Sequence, residues 1–356
     1  MAWSVYDVAD MIDWWSGLTN FDAEGLRCGC VYKIDHNGLQ EWNKTTWREV
    51  EGSYSSKIQV RRLENEYGVW LPGGENGVKN LPHYPMQISG NITKFLQGHN
   101  VFGPDVEFYL PMLRETVRRF PVGIRPPDVD KSDLDVASVR MDLTKMFDLG
   151  SHQNVHDWLS HVGSASSCRH KSGIIRRGRT VYFGMHSKVW SGKAYCKVCE
   201  LMQPGQSLPD KNLNELLVEF AQPLLRIEFV LRRPEIKKWS ALGEDVFWHY
   251  FERINVGVID MSVKRDISNL PKGAQLCFRQ WYEGGDVRAM YSVRTFYRYR
   301  KFIFEELKID ISCAATEQDT KLEHIKFDGQ YLRDHEIKTI PEALQGLLFK
   351  PELARA

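Results

Sequence analysis

Apolar and polar residues alternate with a period of two in several stretches, and these are the strands that the sequence predicts. In "LDVASVRMDLTKMF" Val139, Met141 and Leu143 fall on one face, and Arg140, Asp142 and Thr144 on the other. "RIEFVLRR" repeats the pattern, with Ile227, Phe229 and Leu231 directed inward and Arg226, Glu228 and Val230 on the opposite face. Between residues 28 and 72, the strand-like runs "CVYKI", "KIQVRRL" and "GVWL" are separated by the turn signals "DHNG" and "PGGENG". "TVYFG" begins a hairpin-like pair that leads into "GKAYCKVCEL". A helical period marks "DVEFYLPMLRETVRRF" despite Pro111, "SHQNVHDWLSHV" behind a Ser151 cap, and "NLNELLVEFAQPLL" up to Pro223.

After about residue 240 the texture changes. "KGAQLCFRQWYEGGDVRAMYSVRTFYRYRKFIFEELKIDI" reads as short helices, broken at Gly284 and Gly285 and restarted at a Ser292 cap. Runs of strands and helices without a G-x-G-x-x-G or Walker loop argue for an α+β fold rather than a doubly wound nucleotide fold. The expected organisation is a main domain over 1–240, a helical region over 241–312 and a C-terminal tail over 313–356.

Composition limits the alternatives. A chain of 356 residues with 26% charged and 12% aromatic residues is an ordinary globular one, rich in Trp and Tyr. The N-terminus carries Asp7, Asp10 and Asp13 within its apolar part and has no basic leader, so it is not read as a signal peptide; no run is long enough for a membrane span. A cytoplasmic protein without membrane contact is expected.

The net charge is +1, but its distribution is uneven. Between Asp157 and Glu200 there is no acidic residue, while Arg169, Lys171, Arg176, Arg177, Arg179, Lys188, Lys193 and Lys197 are basic and interleave with Tyr182, Phe183, Trp190 and Tyr195. A solvated face is one reading; phosphate neutralisation with base stacking suits the pattern better. From Asp286 to Lys301 lie Arg288, Arg294, Arg298, Arg300 and Lys301, either a recognition helix of helix-turn-helix type or a surface helix.

The candidate chemistry follows from these elements. Arg140-x-Asp142 and Arg226-x-Glu228 sit on the polar faces of two strands, as structural ion pairs or as oxygen ligands for Mg²⁺ or Mn²⁺ with the arginines toward a phosphate. Tyr195 has a phenol that needs a metal or a cation before it can act as a nucleophile, and strand periodicity puts Lys197 on its side. A half-buried strand tyrosine is the plainer reading. The C-x-x-C of Cys196 and Cys199 has no second such pair among Cys28, Cys30, Cys168, Cys277 and Cys313, so it reads as incidental rather than as a zinc or redox site.

"KFLQGHNVFG", "VRMDLTKMF", "TVYFG" with "KAYCKVCEL", "LLRIEFVL", and "RTFYRYRKFI" with "KIDI" resemble, in this order, the replication initiators of filamentous bacteriophages, the gene II/X family. The tyrosine block is also similar to that of plasmid rolling-circle initiators, which runs tyrosine, any residue, lysine, then a glutamate. The resemblance implies a central, mostly antiparallel sheet with flanking helices and a small C-terminal helix-turn-helix-like region. It implies an endonuclease that nicks the viral origin on double-stranded DNA through a 5′-phosphotyrosyl link and later rejoins the displaced strand. A non-catalytic DNA-binding replication or repression factor is the alternative.

On this matching Tyr195 is the nucleophile and Lys197 its charge partner. Asp142 and Glu228 are the metal ligands, Glu200 is a reserve ligand, and Mg²⁺ or Mn²⁺ is the cofactor. Arg140, Arg226, Arg176, Arg177, Arg179, Arg294, Arg298 and Arg300 would contact DNA. His99 would join the metal, touch DNA or brace a loop. Many rolling-circle initiators use a His-hydrophobic-His triplet, and this sequence has none: His152 and His156 are four apart. The implied partners are double- and single-stranded origin DNA and the host helicase and polymerase, in the cytoplasm of a host bacterium.

Overall fold

The computed structural model describes residues 10–52, 56–63, 82–130, 134–165, 167–168, 174–177, 180–204, 210–239, 244–255, 260–262, 267, 269–307, 310–312, 324–326 and 328–350. Among the described residues, most of the strand-like stretches enter one sheet of nine strands. It is built from β1 (Met11–Asp22), β4 (Arg48–Glu51), β5 (Lys57–Arg62), β6 (Pro85–Gly90), β7 (Val136–Asp148), β9 (Ile174–Arg177), β10 (Thr180–Phe183), β11 (Trp190–Cys196) and β12 (Leu224–Arg232). Their order is β4-β5-β6-β1-β7-β12-β11-β10-β9 and every pairing is antiparallel. With helices packed around this sheet, the fold is α+β. "CVYKI" forms β2 (Cys30–Ile34), paired with β3 (Gln40–Thr45) across a turn in which Gly38 has φ +81. "GVWL" and "PGGENG" lie outside the described residues.

The helices start and stop where their local chemistry requires. α1 (Ile92–Gln97) is capped by Asn91, whose side chain accepts from Lys94 N, and it ends at Gly98 with φ +88. α2 (Tyr109–Arg118) tolerates Pro111 in its first turn, where a missing N–H costs no helical bond. α3 (His152–Ala165) starts behind Ser151, whose hydroxyl accepts from Asn154 N at 3.1 Å. α4 (Lys197–Leu201) follows β11 directly, α5 (Lys211–Ala221) is capped by Asp210, α6 (Arg233–Ile236) follows β12, and α7 is Glu244–Phe251. β8 (Ser167–Cys168) pairs with β13 (Ile254–Asn255).

One face of β12 holds the aromatic core. Phe229 is fully buried, with ring centroids 4.9 Å from Phe247 and 6.0 Å from both Trp190 and Tyr250. Gly192, opposite Phe229 on β11, leaves room for that ring, since a Cβ there would stand 2.9 Å from it. The other face, with Arg226 and Glu228, is buried as well. It is covered by the loop after α1, whose Asn100 carbonyl accepts from Arg226 Nη1 and which Gln97, the last residue of α1, braces by donating from Nε2 to Phe102 O at 2.6 Å.

The chain divides into two compact units, residues 257–331 and the remainder. The boundaries therefore differ from those expected at 240 and 312. The first unit also takes in residues 332–350 of the expected tail: Ile337 N donates to Met146 O at 2.9 Å, and Glu336 pairs with the buried Lys145. Local patterns could not show this, because the pairing joins residues almost 200 apart in the chain. In the second unit β14 (Asp260–Ser262) pairs with β15 (His324–Lys326). Around Phe278, Trp281, Phe296 and Ile303 pack α8 (Lys272–Tyr282), α9 (Val287–Met290) and α10 (Val293–Leu307). Gly284, with φ +83, follows α8, and Ser292 Oγ accepts from Thr295 N at the start of α10. No helix among the described residues is long and apolar enough to cross a membrane.

Candidate active site

Four adjacent strands, β1, β7, β12 and β11, bring their polar residues to one face. Register fixes the arrangement: Tyr195 lies opposite Arg226, Lys193 opposite Glu228, and Asp142 opposite Val230, next along the face from Glu228. β1 adds Asp13 through a register shift between Ile12 and Trp14, a bulge that turns an acidic side chain out of the apolar run Met11–Trp15.

The Tyr195 hydroxyl donates a short hydrogen bond to Glu228 Oε1. Lys193 Nζ forms an ion pair at 2.6 Å with Glu228 Oε2 and lies 5.2 Å from the centre of the Tyr195 ring. Arg226 is fully buried; its Nε lies 3.3 Å from Glu228 Oε1 and its Nη2 donates to Asp13 Oδ1 at 2.9 Å. Asn100 ties these groups to the loop. Its Nδ2 donates to Asp13 Oδ1 at 2.8 Å, its Oδ1 accepts from Lys197 Nζ at 3.0 Å, and its carbonyl accepts from Arg226 Nη1. Lys197 also pairs with Glu200 at 2.5 Å. Tyr195, Asp13, Asn100, Lys193 and Glu200 line a cleft of about 450 Å³.

The electrostatics follow from burial and pairing. Burial alone would raise the Asp13 carboxyl, but Arg226, Lys197 and Lys193 outweigh it and hold the group below its usual range. Burial pushes Asp142 up to about 6, against Arg140 and with help from the charges of Glu228 and Asp13. Burial drives the Tyr195 phenol well above 10, opposed by Arg226 and reinforced by Glu228. Lys197 is brought down to about 8 by burial and Arg226. In this state the tyrosine is protonated, with its proton already directed at a carboxylate.

Asp13, Asp142 and Glu228 suit a hard divalent cation by donor type, and the charges of Glu228 and Asp13 bear on Asp142. Their oxygens are at present engaged by protein cations: Asp142 accepts both Nε and Nη2 of Arg140, at 2.8 and 2.6 Å. Among the described residues, the group of three or more His, Cys, Asp and Glu ligand atoms that converges is a different one: His152, His156, Cys196 and Cys199. Burial pushes the Cys196 thiol up to about 12, the reverse of the depressed thiol that a redox C-x-x-C requires.

The remaining expected residues are dispersed. Lys197 is not on the Tyr195 strand face: β11 ends at Cys196, and Lys197 opens α4, so Lys193 takes the same-face position. The strand period carried one residue too far because helical bonding begins at once, with Met202 N donating to Val198 O. His99 is buried away from the cleft, with its Nε2 3.2 Å from Leu347 O. Arg176 and Arg177 lie in β9, and Arg179 lies outside the described residues. Arg294 and Arg298 are exposed on α10, and Arg300 is paired with Asp310 at 2.6 Å.

Sequence reasoning did not single out Asp13 or Asn100, and it gave Lys193 only as a member of the basic run. The signals were present: an acid within the apolar run "MIDWW", and an asparagine in the string "LQGHNVFG" that carried the resemblance.

The family model for the N-terminal region of the phage gene II replication-associated protein matches residues 11–251, a span that contains every residue of the cleft. The gene II replication-associated protein of Enterobacteria phage I2-2 is 28% identical over 331 residues, covering 87% of this chain and 90% of that protein. These matches extend the resemblance drawn from the sequence motifs to most of the chain, and on them the chain belongs to the gene II replication-associated protein family of filamentous phages.

Proposed function

We propose that this phage replication initiator nicks one strand of the viral origin with Tyr195 as nucleophile and Glu228 as the base that receives the phenolic proton. The observation that carries the reading is the Tyr195 hydroxyl donating to Glu228 at the wall of a polar cleft. In the step, Tyr195 Oη attacks phosphorus in line and the P–O3′ bond breaks. The 3′-oxygen leaves and takes up a proton to become a free hydroxyl, and the 5′-phosphate remains on the tyrosine. The link conserves the energy of the broken phosphodiester, so the reverse reaction joins a displaced strand without ATP.

The chain's own groups have distinct tasks. Glu228 accepts the proton as the oxygen gains nucleophilic character, and its burial between Lys193 and Arg226 keeps it aimed. Asn100 fixes Asp13, Arg226 and Lys197 relative to one another. Lys193 and Lys197 offer positive charge to the phosphate. Asp142 and Glu228, with Asp13 beside them and Glu200 in reserve, are the carboxylates that would hold Mg²⁺ or Mn²⁺ once Arg140, Lys193 and Arg226 release them, and the ion would polarise the scissile phosphate. Arg294 and Arg298 on α10, with Arg300 once released from Asp310, would contact origin DNA, and the β9–β10 region would grip the unpaired strand.

The test is supercoiled origin plasmid incubated with protein and Mg²⁺. Nicked circles carrying covalent protein, absent with Tyr195→Phe, are expected. A gel shift without nicking would instead make the chain a non-catalytic origin-binding factor.

A further inference from the structure

α3 and the β11–α4 junction present four metal-binding side chains to one point; Cys196 and Cys199 also line the cleft, but the nicking step assigns none of the four a role. His152 and His156 stand one turn apart on the same face of α3. Cys196 is the last residue of β11, and Cys199 lies in the first turn of α4. His152 Nε2 and His156 Nε2 are 2.8 Å apart, and each approaches Cys199 Sγ, at 3.2 and 3.3 Å. With Cys196 Sγ included, all four ligand atoms lie within 4.8 Å of one another.

A tetrahedral zinc with Zn–N of roughly 2.0–2.1 Å and Zn–S of roughly 2.3 Å has ligand-to-ligand edges of roughly 3.3–3.8 Å. The four atoms are within a side-chain adjustment of that figure. A closed triangle of two ring nitrogens and a sulfur is poor geometry for hydrogen bonds alone, because a ring N–H points along a single direction. Convergence on a common centre is what a cation provides.

We propose that His152, His156, Cys196 and Cys199 form a structural zinc site. Two pairs, H-x₃-H and C-x₂-C, supply the two-nitrogen, two-sulfur set that zinc prefers, in the reverse of the usual chain order. Two thiolates balance the charge of Zn²⁺, so the ion adds no net charge beside the neutralised network around Glu228. Four protein ligands leave no open position, which excludes a catalytic role for the ion. Its place in the fold gives it a purpose: it bolts α3 to the residue that follows Tyr195 and to the helix that carries Lys197 and Glu200. The sequence shows both pairs but not their convergence, since the histidine pair lies 40 residues away from the cysteine pair.

The test uses full-length protein purified without chelator, with metal content measured by mass spectrometry. About one zinc per chain is expected, retained in Tyr195→Phe, so that failure of the nicking mechanism and failure of the zinc site are separable. After stripping, Co²⁺ should give tetrahedral visible bands and a thiolate charge-transfer band that saturate together and are displaced by Zn²⁺. The Cys196→Ser, Cys199→Ser double variant should lose both. Should that variant fail to fold, alkylation of the wild type decides: Cys196 and Cys199 should react only after stripping. Folded, stripped wild type that gives no thiolate band with Co²⁺, or alkylation indifferent to zinc, would overturn the proposal.

Discussion

The two faces of β12 are equally dry and chemically opposite. On one, Ile227, Phe229 and Leu231 join an aromatic core with Trp190, Phe247 and Tyr250; on the other, Arg226 and Glu228 are just as inaccessible to water. The apolar face needs only volume and shape. The polar face is tolerable because each charge meets a partner: Arg226 between Asp13 and Glu228, Glu228 with Lys193, Asp142 with Arg140. Burial of this kind is weak evidence for stability, since desolvation consumes most of the Coulomb gain. It is better explained as a constraint on geometry, holding a phenol against a carboxylate at the edge of a cleft.

The largest effect should come from the base. Glu228→Gln keeps the shape and removes the proton acceptor, and should slow nicking by about 10²–10⁴-fold, read from the initial rate of nicked-circle formation. Asp142→Asn separates ligand from bystander: equal loss there, relieved by raised Mg²⁺, would place Asp142 in the cation site.

Next come the two stability tests that set the faces against each other. Arg226→Met strands Asp13 and Glu228 and should cost about 3–5 kcal/mol in urea unfolding. Phe229→Ala opens a cavity and should cost about 3–5 kcal/mol. The faces differ on adding Asp13→Asn, which should recover part of the Arg226→Met loss and simply add to the Phe229→Ala loss. Additive behaviour in both pairs would break the comparison.

A third effect is pH-dependent. Burial holds the His99 imidazole down to about 4, so between there and the ordinary value near 6.5 the native state binds fewer protons than the unfolded chain. Stability from this residue is complete above about 6.5 and lost as pH falls through about 4, on the order of 3 kcal/mol in all. His99→Gln should flatten that part of the stability curve. The smallest effect belongs to the exposed Arg300–Asp310 pair, where Arg300→Ala should move stability by no more than about 0.5 kcal/mol while weakening DNA binding in a salt-dependent way.

Much of this was legible in the sequence, where local pattern carries the information. Period-two alternation located β7 and β12, and Ser151 and Ser292 marked two helix starts. What local pattern does not carry is partnership. Asp13 reaches the polar face through a bulge and Asn100 through a loop, while on the opposite face Glu336 meets Lys145 by a return of the chain. Each depends on residues far apart in sequence, and none leaves a periodic trace. Lys197 shows the opposite failure, a period extended one residue past the end of its strand.

The most direct measurement is the location of the covalent link. Protein trapped on origin DNA, digested with nuclease and protease, should yield a nucleotide-bearing peptide containing Tyr195, with no such adduct from Tyr195→Phe. A nucleotide found on another residue, such as the neighbouring Tyr182, or an active nick without any covalent protein, would contradict the account.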